Sequence, residues 1–142
     1  MSQFAFLKTE FAPVYELARK AETAALADPR GACFYARLAL ESAVKWMYDN
    51  DRSLRSPYDT ALSALIHEGT FRAVVGNALV TKARIIKDYG NKAVHETRAV
   101  APQNAIICVR ELFHFTYWLV HTYARGPRPD PALAFNADAL PR

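Results

Sequence analysis

At 142 residues, 51% of them hydrophobic, the chain is long enough for one domain with a substantial core and too short to divide comfortably into two. An aromatic share of 12% and a charged share of 23% exclude a disordered polymer, and no apolar run approaches the roughly 20 residues of a membrane span. The net charge of +4 is modest, and the start MSQFAFLKTEF lacks the basic head and apolar core of a secretory signal, so the expected location is the cytoplasm, with no membrane partner.

Phe11, Val14, Tyr15, Ala18, Ala21 and Ala25 recur at three and four residues and predict a first helix. Asp28-Pro29 is a start signal, because a carboxylate caps free amides and proline tolerates the first helical position; a second helix then runs to about Asp49. The segment from Asn50 to Asp59 is polar and carries Pro57, which predicts a loop. A short third helix opens at Asp59 or Thr60 and carries Leu62, Leu65 and Ile66, with Gly69 suited to the left-handed residue after its end. A fourth begins near Thr70, places Phe71, Val74, Val75, Ala78, Leu79 and Ile86 on one face, and is expected to stop at Gly90.

Pro102 begins a fifth, long helix, apolar at Ile106, Val109, Leu112, Phe113, Leu119 and Tyr123, although Ala101 is a poor capping residue. Residues 126–142 are proline-rich and without period, so they read as an extended linker or a tail lying on the bundle through Phe135 and Leu140. No segment alternates as a half-buried strand does. The expected fold is therefore an all-α antiparallel bundle of about five helices over residues 1–125.

Few residues stand out chemically. Cys33 and Cys108 lack metal or CxxC spacing and read as reduced core thiols, and His114 and His121 lie roughly 10 Å apart along a helix, too far to share one metal. No phosphate loop of the GxxxxGK type, GxSxG elbow or hydrolytic carboxylate pair is present. Trp46, Trp118, Tyr48 and Tyr117 sit at helical spacing, as core aromatics do.

Three sets remain. Arg37 and Glu41, one turn apart, lie in or beside the apolar arc of Cys33, Leu40 and Val44, which points to a tertiary structural role. In Gly90-Asn91-Lys92-Ala93-Val94-His95, the glycine permits a turn, Asn91 can bond the backbone it leaves, and His95 can act as a general acid or base. Arg72, Lys82, Arg84, Lys87, Lys92 and Arg98 meet only Asp88 and Glu96 within their stretch, so they are the expected nucleic-acid-binding residues.

Four segments in order, FLKTEFAPVYELARKAE, DPRGACFYARLALESAVKWMY, YGNKAVHE and ELFHFTYWL, resemble the small domain that precedes the nuclease and helicase parts of many type I restriction enzyme R subunits. The likeness runs from about Phe4 to Arg125, and the tail with Leu140-Pro141 is similar to the connector that follows it. The resemblance implies a non-catalytic accessory module of an enzyme that uses ATP and magnesium to translocate and cut DNA, with no cofactor in this domain itself. It also implies DNA or another nucleic acid and further restriction-enzyme subunits as partners, and leaves the oligomeric state open, a homodimer included.

This domain is similar in turn to HEPN bundles, whose active members cut RNA without metal using an arginine, often followed by asparagine, and a histidine four to six residues further on. Asn91 and His95 match that motif, but Gly90 occupies the arginine's place before asparagine. In such chemistry the histidine moves a proton at the ribose hydroxyl and the arginine steadies charge on the phosphate. Lys87 would have to substitute for the arginine, so a ribonuclease with His95 as its catalytic residue is the alternative expectation.

Overall fold

The computed structural model describes all 142 residues and contains only helices, turns and loops. Six α-helices follow one another: α1 (Ala12–Ala24), α2 (Pro29–Asn50), α3 (Leu62–His67), α4 (Gly69–Val75), α5 (Asn77–His95) and α6 (Pro102–Tyr123), with a single 3-10 turn at Ala5–Leu7 and another at Ala137–Ala139. An all-α helical bundle is thus the architecture.

The start of α2 is set as its sequence requires. The Asp28 carboxylate accepts a hydrogen bond from the Gly31 amide at 3.1 Å, ahead of Pro29 in the first turn. Across from α2, Ala18, Ala21 and Ala25 of the first helical segment face Ala32, Ala36, Ala39 and Ala43, and all are fully buried. Side chains this small let two helix backbones approach closely, and α1 and α2 form the most extensive contact in the molecule. Helix α2 is central, since it also packs along α5 and α6. One continuous cluster of 35 buried hydrophobic residues runs through all six helices, so the bundle has a single core.

Two glycines act differently from expectation. Gly69 does not terminate a helix in the left-handed region; it opens α4, and Glu68 before it caps that helix by accepting from the Thr70 and Phe71 amides, both at 3.0 Å. The single positive φ belongs to Gly76, at 87°. It divides the expected fourth helix into α4 and α5, so the bundle has six helices rather than five. The division has a packing reason. Phe71 and Val75 bury one face of α4, but a straight continuation would direct Ala78 and Lys82 inward. After the break, α5 instead buries Val80, Ala83, Ile86, Gly90 and Ala93, and Ala78 is exposed.

The proline-rich tail lies on the bundle. Glu10 accepts from the Arg125 and Gly126 amides at 2.8 and 3.1 Å, which turns the chain back after α6. Gln3 and Asn136 then exchange two hydrogen bonds at 2.8 and 2.9 Å, Phe135 packs 5.9 Å from the Phe113 ring, and Leu140 is buried.

Candidate functional site

Gly90 does not end a helix. It is buried inside α5, which continues to His95, and its backbone has an ordinary helical conformation. The glycine is needed for proximity: a Cβ at this position would stand 2.5 Å from Arg37 Cβ and 2.7 Å from Arg37 Cδ. The Arg37 side chain therefore crosses α5 at the one residue with no side chain of its own. Its guanidinium reaches 4.0 Å from Glu41, which Lys45 approaches equally from the other side, and its Nε is buried with no hydrogen-bond partner. Arg37 is thus a packing element between α2 and α5, while Glu41 meets only Arg37 and Lys45 of its own helix.

Two turns before Arg37 on α2, Arg30 completes this joint. Its guanidinium donates to the carbonyls of Ala93, Glu96 and Arg98, the Glu96 contact measuring 2.8 Å. Carbonyls at a helix end have no partner within the helix, so Arg30 satisfies the end of α5 and pins the loop beyond it. Sequence reasoning passed over this residue. A signal was present, because a cation in the first turn of a helix opposes the helix dipole and must be recovered elsewhere.

Because α5 continues past Gly90, Asn91 is a half-buried helical residue and not one that bonds back to a departing backbone. His95 is the last residue of α5 and is exposed, where a basic group suits the negative end of the dipole. Of the motif residues, Arg37 and Gly90 are in direct contact, while Asn91 and His95 follow Gly90 along the last turns of α5.

The six basic residues separate into groups. Lys82 faces α6, where its ammonium donates to Glu111 at 2.7 Å. Lys87 has only 12% of its side chain exposed and lies 3.1 Å from Asp88. Arg84 and Lys92 stand two turns apart on the outer face of α5, about 12 Å along the axis, with Asp88 between them. Lys92 also lies over the Tyr89 ring. Arg72 joins Arg84 in a shallow cleft with His67 and Asn77 at one end of α5, and Arg98 is exposed in the loop that Arg30 pins at the other.

Glu111 forms the centre of a second cluster that the sequence reading missed. It is 5% exposed, and its two carboxylate oxygens receive Lys82 at 2.7 Å and Arg110 at 3.0 Å. Burial pushes its carboxyl up, but the hydrogen bonds and charges of Lys82 and Arg110 outweigh burial and hold it below the usual range. His114 joins through Nδ1, 3.0 Å from the Lys82 ammonium; burial and that cation lower its pKa against the opposing pull of Glu111. The sequence did carry a sign of this: Glu111 falls on the buried period of Cys108, Leu112 and Phe115, where a carboxylate requires a cation.

Cys33 and Cys108 are free and buried. No three His, Cys, Asp or Glu side chains gather closely enough to hold a metal ion, and no helix is long and apolar enough to cross a membrane. The chain matches no family model, and no curated protein or solved structure is detectably similar to it.

Proposed function

We propose that this bundle is a non-catalytic, HEPN-like accessory module of a type I restriction enzyme R subunit, which contacts nucleic acid through the outer face of α5. In this reading the ATP- and magnesium-dependent translocation and cleavage belong to other parts of the parent enzyme. Other restriction-enzyme subunits would be its protein partners.

The observation that carries the reading is Gly90. The motif of active HEPN ribonucleases has an arginine before the asparagine, and here Arg37 occupies the space that any side chain at position 90 would need. What remains on the surface is a row of cations on α5 and its flanks, Arg72, Arg84, Lys92 and Arg98, with Asp88 in its middle. Each phosphate contact by such a cation releases counterions, so binding should weaken steeply with salt.

The test is fluorescence anisotropy of labelled single- and double-stranded DNA over a salt series. Arg84→Glu with Lys92→Glu should flatten the log-log salt dependence by about two, one for each lost phosphate contact. Absence of binding at low salt, or an unchanged slope in the double variant, would overturn the nucleic-acid part of the proposal.

One observation favours the ribonuclease alternative: the side chain lying on Gly90 is itself an arginine, so α2 brings a guanidinium to this end of the bundle. In that case His95 would move the proton and Arg37 or Lys87 would face the phosphate. Incubation with labelled RNA in chelator separates the two readings. Cleavage lost in His95→Ala supports the ribonuclease, and no cleavage by either protein ends it.

A further inference from the structure

We propose that the cleft between α6 and the returning tail seats a flat-ringed anion of the mononucleotide class, its ring against Tyr117 and Phe135 and its phosphate on Arg110 and His114. This site is separate from the α5 face and does not rest on the accessory-module assignment.

The cleft has a volume of ≈ 310 Å³ and is walled by those four side chains with Leu133 and Ala134 of the tail, over the edge of the buried Phe113. That is the lower end of the range for small-molecule sites, large enough for one ring system with a polar group at its edge. Phe113 and Phe135 meet at 51° rather than stacking on each other, with ring centroids 5.9 Å apart. Tyr117 fixes the tail wall by donating from its hydroxyl to the Asp130 carbonyl at 3.0 Å. Aromatic walls of this kind accept any base, because every base has a π-face.

The polar end of the cleft is built to donate. The Nδ1 of His114 lies 3.0 Å from the Lys82 ammonium and 3.5 Å from a Glu111 carboxylate oxygen, so it can accept from the one or donate to the other. Accepting from Lys82 puts the ring proton of the neutral imidazole on Nε2, where it can donate to a phosphate. Beside it, Arg110 engages Glu111 through one guanidinium nitrogen and is 45% exposed, which leaves further N–H groups for a phosphate. Both oxygens of Glu111 are occupied by Lys82 and Arg110, so its charge is compensated before any anion arrives. Two cations against one buried carboxylate leave this end of the cleft positive.

The same chemistry is offered by a free mononucleotide and by the phosphorylated end of a single strand. Calorimetric titration of the full chain with AMP, adenosine, inorganic phosphate and a 5′-phosphorylated oligo(dA) distinguishes them, alongside the imidazole NMR signals of His114. AMP should bind saturably and shift the His114 signals, with adenosine and inorganic phosphate each weaker by about ten-fold or more. Arg110→Gln and Phe135→Ala should each weaken AMP by about ten-fold, through loss of the charged contact and of the ring wall respectively.

Tighter binding of the oligonucleotide than of AMP assigns the strand end, and the reverse order assigns the free nucleotide. No saturable AMP binding, or affinity unchanged in both variants, would overturn the proposal. If Arg110→Gln does not fold, unchanged affinity in Phe135→Ala together with unmoved His114 signals would overturn it equally. Failure of the α5 variants in the salt series leaves this result untouched, since they alter neither wall nor donor.

Discussion

Helix α5 is joined to its two long neighbours in opposite ways. Against α2 the joint is steric and uses backbone: a glycine makes room for Arg37, and Arg30 delivers its guanidinium to three carbonyls at the helix end. Against α6 the joint is ionic, a buried carboxylate held between Lys82 and Arg110 with His114 beside it. The first joint is indifferent to pH, because arginine stays charged and carbonyls do not titrate. The second depends on protonation. The difference also shapes the surface, since the first joint fixes the loop that presents Arg98 while the second takes Lys82 out of the exposed basic set.

The largest effect should come from breaking the ionic joint. Glu111→Ala removes the only counter-charge of Lys82, which is 30% exposed, so the cost should be about 3 kcal/mol, toward the lower end for a broken buried pair. Urea denaturation at neutral pH measures it, and a loss within experimental scatter would mean the carboxylate contributes no net attraction. Next comes the steric joint. Gly90→Ala places a Cβ against Arg37 and should cost about 2 kcal/mol, after the helical preference of alanine has returned about 1 kcal/mol. Combining it with Arg37→Gly, which removes the Cβ as well as the rest of the side chain, should recover more than about 1 kcal/mol relative to additivity, and strict additivity would show that the two residues do not clash.

Arg30→Met tests the other half of that joint. About 1.5 kcal/mol should be lost, with faster amide exchange confined to the end of α5 and the loop after it. A uniform rise in exchange along α5 would contradict a local clamp.

The pH response separates the joints without mutation. The Glu111 carboxyl is held below its ordinary 4.5, so its stabilising contribution is complete above that value and is lost as pH falls through the lowered pKa. His114 is also held below its ordinary value, 6.5, so just under that pH the unfolded chain takes up a proton that the folded chain refuses, and stability falls with acidification there too. His114→Gln should flatten the stability curve just below pH 6.5 and leave the acid limb; an unchanged curve would remove His114 from the cluster. The smallest effect on stability belongs to the outer face: Arg84→Glu should stay within about 0.5 kcal/mol of the parent while weakening nucleic-acid binding.

Much of the bundle could be read from residue order. The periods of the first, second and last helices, the Asp28-Pro29 cap and the long loop before Leu62 all follow from local preferences that operate within a turn or two. The errors cluster at glycines. Gly69, Gly76 and Gly90 look alike to a rule that treats glycine as a stop, but one opens a helix, one breaks a helix and one lies within a helix. A glycine's role depends on what lies opposite it, and that is a matter of packing.

The candidate site was legible in the same uneven way. Arg37 and Glu41 stood out because their helical phase placed charge near the core, and the structure gives that phase its reason in Gly90. Arg30 and Glu111 were missed, since the partners that tie them to another helix lie 63 and 29 residues away in sequence, at Ala93 and Lys82.

By itself the sequence determined which stretches are helical, that no strand would form, and that a surplus of positive charge lies between Arg72 and Arg98. Those properties arise from short-range periodicity and composition, which do not need a partner to be recognised. Only the tertiary structure decided where the helix after α3 breaks, which glycine serves contact rather than turning, and which of six cations remain at the surface. Those outcomes depend on the identity of the atom across the interface, and side chains separated by dozens of residues meet only once the helices have packed.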